Sequence, residues 1–150
     1  MFVVFDLDGT LADCEHRLHH IKGESKPTPA QWDAFFEACD MDAAIPHALA
    51  TLEAFVNVGR MHRVEIWSAR SDQVRDKTEN WLADHIGHRF ERVLTLRMRR
   101  QGDHRNDDIL KAEWIAEHGK PDLVFEDRAR VVKMWRQMGV PCFQVADGEF

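Results

Sequence analysis

The chain opens on Phe-Val-Val-Phe at residues 2–5, and that apolar run breaks at two carboxylates, Asp6 and Asp8, with a Gly-Thr turn behind them. A short β-branched and aromatic run bounded by turn residues reads as a buried strand. In a parallel sheet, ligands gather beyond the carboxyl ends of the strands, so both acids fall where a site belongs. Residues two apart on an extended backbone face the same way, so the two carboxylates share a side. Two such charges repel, and one pKa rises unless a cation compensates them. A hard divalent ion bound by oxygen, Mg²⁺, supplies that compensation. For an isolated Asp-Leu-Asp-Gly the alternative is a helix-capping Asp beside a solvated turn residue.

The rest of the chain repeats the theme of short apolar runs alternating with helical spacing. The runs lie at 2–5, 63–67, 92–96, 122–125 and 142–145. Between them Ile45, Leu49, Leu52 and Val56 keep a helical period, as do Val74, Thr78, Trp81 and His85, and then Val131, Trp135 and Met138. Gly59, Gly87, Gly119 and Gly139 each follow a helical pattern, where a left-handed residue ends a helix, and Pro121 and Pro141 follow shortly. This alternation is that of an α/β fold, a three-layer Rossmann-like parallel sheet with helices on both faces. Residues 13–42 break it: a polar, Pro-bearing stretch is followed by Ala-Gln-Trp-Asp-Ala-Phe-Phe-Glu-Ala-Cys-Asp, a short helix. They read as a small cap inserted after strand one of a single domain spanning residues 1–150.

At 150 residues one full core is possible without covalent staples. Asp and Glu outnumber Lys and Arg 26 to 20, so no general attraction toward nucleic acid or anionic membrane is expected, and any nucleic-acid contact must be local. Cys14, Cys39 and Cys142 form no close pair, as expected of reduced thiols in the cytoplasm. The apolar start stops at Asp6 and no run is long enough to span a bilayer, so neither signal peptide nor membrane partner is expected.

Two further strand ends complete an inventory. The run at 63–67 leads into Ser68, Ala69 and Arg70; the run at 122–125 leads into Glu126 and Asp127; Lys111 lies in the helical segment before the latter. Four acids, a hydroxyl and an ammonium on one rim suit phosphoryl transfer through a covalent aspartyl-phosphate. In this order, Asp-Leu-Asp-Gly-Thr, Ser68, Lys111 and Glu126-Asp127 resemble the four motifs of the haloacid dehalogenase superfamily of phosphohydrolases. Residues 101–111 and 126–150, with Arg17 placed after the first loop, resemble in particular the 3′-phosphatase domain of phage polynucleotide kinase. Ala69 stands where the family usually has Gly, and Glu126 where it often has Asp.

The resemblance implies a HAD-like fold and roles residue by residue. Asp6 is the nucleophile. Asp8 is the acid and base, a role that a raised pKa would favour. The metal is held by Asp6, the Asp8 main-chain carbonyl, Asp127 and Glu126. Ser68 and Lys111 bind the phosphoryl oxygens, and Gly9 and Thr10 shape a loop whose amides face the anion. Arg17 and Arg70 grip a phosphate, with Ala69 and Asp107 beside the substrate. The expected activity is Mg²⁺-dependent removal of 3′-phosphate from polynucleotide ends in nucleic-acid repair. The alternative is a 5′- or 3′-nucleotidase with residues 13–42 closing over a mononucleotide, and a third reading is a binding protein that lost catalysis. No kinase half is readable and no obligate protein partner is evident.

Each residue also has a plainer reading. Ser68 alone is a turn hydroxyl and Lys111 a solvated charge. Asp107 and Asp108 read as caps of a helix start. Arg128 and Arg130 read as anchors of the acid pair. His16, His19 and His20 read as a polar surface rather than a zinc site. Trp32, Phe35 and Phe36 pin a short helix or stack on a base, and Trp81, Trp114 and Trp135 belong to the core. Arg97, Met98, Arg99 and Arg100 are either a phosphate-tracking patch or a solvated face.

Overall fold

A computed structural model describes residues 1–23, 26–58, 63–87 and 94–148. Five strands, β1 (Phe2–Phe5), β4 (Arg63–Ser71), β5 (Leu94–Arg99), β6 (Leu123–Arg128) and β7 (Cys142–Gly148), form one sheet in the order β5-β4-β1-β6-β7. Every neighbouring pair in it is parallel. β1 is central, with Phe5 opposite Ile66 on one side and Phe125 on the other. The period of two sorts its residues: Val3 and Phe5 enter one core cluster, and Phe2 and Val4 the other. The first face is covered by α2 (Pro46–Asn57) through Leu49 and Leu52, and by α3 (Arg75–Ile86) through Trp81 and Leu82. The second is covered by α4 (Asp107–His118) through Leu110 and Trp114, and by α5 (Ala129–Gln137) through Val131 and Trp135. This is the expected three-layer α/β architecture, and Trp81, Trp114 and Trp135 are core residues.

Four strands run past the stretches expected from sequence, β5 among them by ending at Arg99. β4 continues through Ser68 to Ser71, β6 through Asp127 to Arg128, and β7 to Gly148. Polar side chains end an apolar pattern without ending the backbone ladder. The pairing carries on through register shifts at Ser68/Ser71 and at Glu126/Arg128. Residues 92 and 93 of the expected third strand, and Gly59, lie outside the described residues. Gly87, Gly119 and Gly139 have positive φ at their helix ends, as expected.

Between β1 and α2 the chain forms β2 (Ala12–Asp13), a 3₁₀ turn at Glu15–His20, α1 (Pro29–Glu37), a second 3₁₀ turn at Ala38–Met41 and β3 (Ala43–Ala44). β2 and β3 pair antiparallel. Thr28 and Gln31 form a capping box at the start of α1, with Pro29 in its first turn, so the local sequence dictates where this helix begins. Its Phe35 is buried against Cys14 and Ile21, with Trp32 and Phe36 half-buried beside them. Lys77 on α3 donates to the Glu37 carbonyl at 2.7 Å, and Gln73 donates to Asp33 at 3.1 Å. These contacts hold α1 against the segment that follows β4.

Candidate active site

β1 delivers Asp6 while the ladder is still intact: the Asp6 amide donates to the Phe125 carbonyl at 2.9 Å. The chain then wraps around the Leu7 carbonyl, which accepts the amides of Thr10, Leu11 and Ala12 at 3.2, 2.9 and 2.9 Å. The Gly9 amide donates to the Ala12 carbonyl at 2.8 Å. The amides of Gly9 and Thr10 therefore bond within the loop, which they close as a tight turn. Gly9 has φ +81, and a Cβ there would overlap the Asp127 carboxylate. Gly148, from the end of β7, makes an equally close approach to Asp127. Two glycines from distant segments thus let backbone close around one carboxylate.

The acids from the two central strands converge. Carboxylate oxygens of Asp6, Glu126 and Asp127 lie within 4.8 Å of one another, and all three residues are buried. Lys111 projects from α4 into this group, with Nζ 2.5 Å from Asp6 Oδ1 and 2.7 Å from Glu126 Oε2. Burial disfavours the Lys111 ammonium, but Asp6 and Glu126 outweigh it and raise its pKa. Burial, then the Glu126 charge, raise the Asp6 pKa well above the ordinary carboxylate value, with Lys111 opposing. Burial and Glu126 push Asp127 up to about 7 against Arg128 and Lys111. Three carboxylates facing one ammonium leave a surplus of negative charge in a closed space. An all-oxygen donor set of that charge fits a hard divalent cation. Thr10 Oγ1 lies 3.5 Å from Asp127 Oδ1.

Asp8, across the loop, belongs to a different network. Arg17 donates from Nη2 to Asp8 Oδ1 at 2.5 Å and spans the Asp42 carboxylate with Nε and Nη2 at 2.6 and 2.7 Å. Arg70 also donates to Asp8 Oδ1, reaches Asp42 Oδ2 at 2.9 Å and Thr78 Oγ1 at 3.2 Å. Both guanidinium groups are fully buried, and that of Arg17 stacks 4.1 Å over the Phe35 ring. Burial alone would raise the Asp8 pKa. Arg70 and Arg17 outweigh it and hold the carboxyl below its usual range. Arg17 and Arg70 accordingly bond carboxylates here, and their reach toward solvent is closed by burial.

The remaining expected site residues fall nearby. Ser68 is buried and its Oγ accepts from the Arg70 amide at 3.1 Å. The Ala69 carbonyl accepts from Arg99 Nε at 2.7 Å. Asp107 and Asp108 do not cap α4; Asn106 holds the cap position. Asp107 is instead shared by Arg99, at 2.5 Å, and Arg128, and Arg130 lies 3.3 Å from Asp108. The Arg128 side chain thus braces the start of α4, with Arg130 in looser contact there, and the Arg128 amide donates to Glu126 Oε1 at 3.3 Å, beside the acid pair. The basic stretch at 97–100 also divides: Arg97 pairs with buried Glu65 at 2.7 Å, Met98 and Arg99 are buried, and Arg100 alone is exposed. His16 bonds Asp42 at 3.0 Å, and among the described residues the histidines form no metal-capable group.

Asp42, Thr78 and Gly148 were missed as site residues by sequence reasoning. Asp42 sits at the end of an insertion with no motif, and Thr78 occupies an otherwise apolar helix stripe. That polar exception was the one signal available for it.

A family model described as polynucleotide kinase PNKP phosphatase domain matches residues 1–150. A chain of the Pnkp1/Rnl/Hen1 RNA repair complex is similar, with 28% identity over 99% of this chain and a TM-score of 0.72. A second structure of the Pnkp1/Rnl/Hen1 complex gives 31% identity, 99% coverage and a TM-score of 0.71. The present chain covers 43% and 46% of those two chains, less than half of their length. A Bacteroides thetaiotaomicron HAD-family enzyme in complex with magnesium and inorganic phosphate shares the fold, at 14% identity, 99% coverage of this chain, 96% of that one and a TM-score of 0.54. Among the described residues no helix is long and apolar enough to cross a membrane.

Proposed function

We propose, on the premise that this chain belongs to the polynucleotide kinase PNKP phosphatase domain family of haloacid dehalogenase-type hydrolases, that it removes 3′-phosphate from polynucleotide ends through an aspartyl-phosphate on Asp6. The observation that carries this reading is the Asp6–Lys111–Glu126 contact beside Asp127. It gives one carboxylate a buried cation at hydrogen-bond distance and two acidic neighbours that belong to a metal set.

In the first half-reaction an Asp6 carboxylate oxygen attacks phosphorus in line with the leaving 3′-oxygen; the new O–P bond forms as the ester O–P bond breaks. In the second, water attacks the same phosphorus, freeing Asp6 and inorganic phosphate. Lys111 and Ser68 donate to the phosphoryl oxygens, and Lys111 also keeps Asp6 from facing Glu126 uncompensated. Asp6, the Asp8 carbonyl, Glu126 and Asp127 would hold Mg²⁺, which supplies charge neutralisation at the phosphoryl oxygens. Asp8 carries the proton: it protonates the leaving oxygen, then accepts a proton from the attacking water. Its two arginines keep it ionised in the free protein, so it is ready for the accepting step. For the donating step, Asp8 takes up the proton that the phosphate monoanion brings, its second pKa being about 6, and passes it to the leaving oxygen.

The test is phosphate release, with Mg²⁺, from matched 3′-phosphorylated and 5′-phosphorylated oligonucleotides and from 3′- and 5′-mononucleotides. Preferential turnover of the 3′-phosphorylated oligonucleotide is expected, with Asp6→Asn inactive on it. Turnover of mononucleotides alone would overturn the polynucleotide assignment.

A further inference from the structure

Helix α5 starts two residues after Asp127, so its first turn abuts the acidic cluster and its axis leads away from it. Its sequence, Ala-Arg-Val-Val-Lys-Met-Trp-Arg-Gln, holds three cations and no acid, in a chain where acids outnumber Lys and Arg. Helical spacing separates the two faces. Val131, Val132 and Trp135 are buried in the core, while Arg130, Lys133 and Arg136 are exposed. Lys133 has no hydrogen-bond or ion-pair partner among the described residues. Arg130 meets Asp108 at only 3.3 Å with half its side chain exposed, a contact weak enough to exchange for another anion. Arg136 donates to the Cys142 carbonyl at 3.1 Å, which ties its guanidinium toward β7.

Packing of the core asks nothing of these outward residues, and neutral helix formers would serve α5 equally well. Arg130 and Lys133 are three residues apart, about 4.5 Å along the axis at 1.5 Å per residue. Two cations so close on one face can each meet a phosphate of one strand, whose charges recur about every 3.4 Å along the axis. We propose that the outer face of α5, through Arg130 and Lys133, binds the phosphodiester backbone of the strand whose terminal phosphate occupies the site. This rests on the 3′-phosphatase reading and adds the surface by which a polymer is preferred to a mononucleotide. It also explains how an acidic chain takes an anionic polymer: the attraction is confined to one helix face beside the reaction centre.

The experiment compares wild type with an Arg130→Gln/Lys133→Gln double variant. A Lys22→Gln/Lys26→Gln double variant carries the same charge change on the insertion. Binding of a 3′-hydroxyl 12-mer is followed by fluorescence anisotropy across a salt series, and hydrolysis of a 3′-phosphorylated mononucleotide is measured beside it. The α5 variant should bind the 12-mer about tenfold more weakly at low salt, with the slope of log K against log salt reduced by about 2, and hydrolyse the mononucleotide at the wild-type rate. The insertion variant should bind as wild type. Equal affinity and slope in the α5 variant, or equal weakening in both variants, overturns the proposal. Absence of any 3′-phosphatase activity in wild type would instead overturn the underlying reading, and the anisotropy data, which need no turnover, would still decide whether α5 binds a strand.

Discussion

Arg17 and Asp42 form a two-pronged buried ion pair, Nε to Oδ1 at 2.6 Å and Nη2 to Oδ2 at 2.7 Å, with neither side chain exposed to solvent. The pair joins the 3₁₀ turn after β2 to the end of the inserted segment, and Arg70 extends it to β4. Removing one partner of such a group strands the others. Asp42→Ala should therefore cost about 3–5 kcal/mol, which for a domain of this size is a fall of about 10 °C in melting temperature. Thermal unfolding followed by circular dichroism measures it, with the surface variant Glu53→Gln as the unchanged control.

Thr78 gives a finer probe of the same network. Its hydroxyl accepts from Arg70 Nη1 at 3.2 Å and donates to the Val74 carbonyl at 3.0 Å. Thr78→Val keeps the shape and leaves one guanidinium N–H unpaired in the interior, a loss of about 1–3 kcal/mol. Phosphatase kcat is expected to fall about tenfold or more if Arg70 steers Asp8 during turnover. Thr78→Ser, which keeps the hydroxyl, should recover most of it. Equal rates for Val and Ser variants would remove Thr78 from the mechanism.

Burial first, and then the charge of Glu126, raise the pKa values of Asp6 and Asp127. A bound divalent cation should accordingly stabilise the fold, by about 2.7 kcal/mol when its concentration is a hundred times its Kd. Mg²⁺ titration should raise the melting temperature and chelator should reverse the rise. Asp127→Asn, which removes a central donor, should abolish the Mg²⁺-dependent shift.

Gly148 tests the cradle from the backbone side. A Cβ at this position would meet Asp127 Oδ2 and would lie 2.9 Å from the Arg128 Cα and the Asp127 carbonyl carbon. Main-chain atoms cannot swing aside, so Gly148→Ala must displace the end of β7 or the Asp127 carboxylate. The expected outcome is a Mg²⁺ affinity lowered about tenfold or more, the scale on which second-layer changes act at metal sites, read from the dependence of the melting temperature on Mg²⁺.

The three cysteines are buried. Burial first, then nearby carboxylates, push Cys14 and Cys142 up to about 12. Raising a thiol pKa keeps it protonated at higher pH, so at pH 8.5 these two should be almost wholly in the unreactive thiol form, where a free cysteine is about half thiolate. Iodoacetamide should leave the native protein unmodified at pH 8.5 and label all three positions in denaturant, as counted by mass spectrometry.

The sheet and its two helical layers were legible from the sequence because periodicity is a local property. The apolar run Phe2–Phe5 and the helical spacing from Ile45 onward each report a neighbourhood of a few residues. The acids at the ends of β1 and β6 were legible for a related reason: in a parallel sheet, strand polarity alone fixes which rim they reach. Tertiary structure decided how charges far apart in sequence are shared. Arg17 and Arg70 carry no local sign that Asp42 would join Asp8 in saturating them, nor did the four-residue basic stretch at 97–100 reveal that Arg97 and Arg99 would turn to separate buried partners. A side chain's charge is written in the sequence, but its partner is set by which segments the fold brings within about 3 Å, and so too is the burial that makes each pairing obligatory.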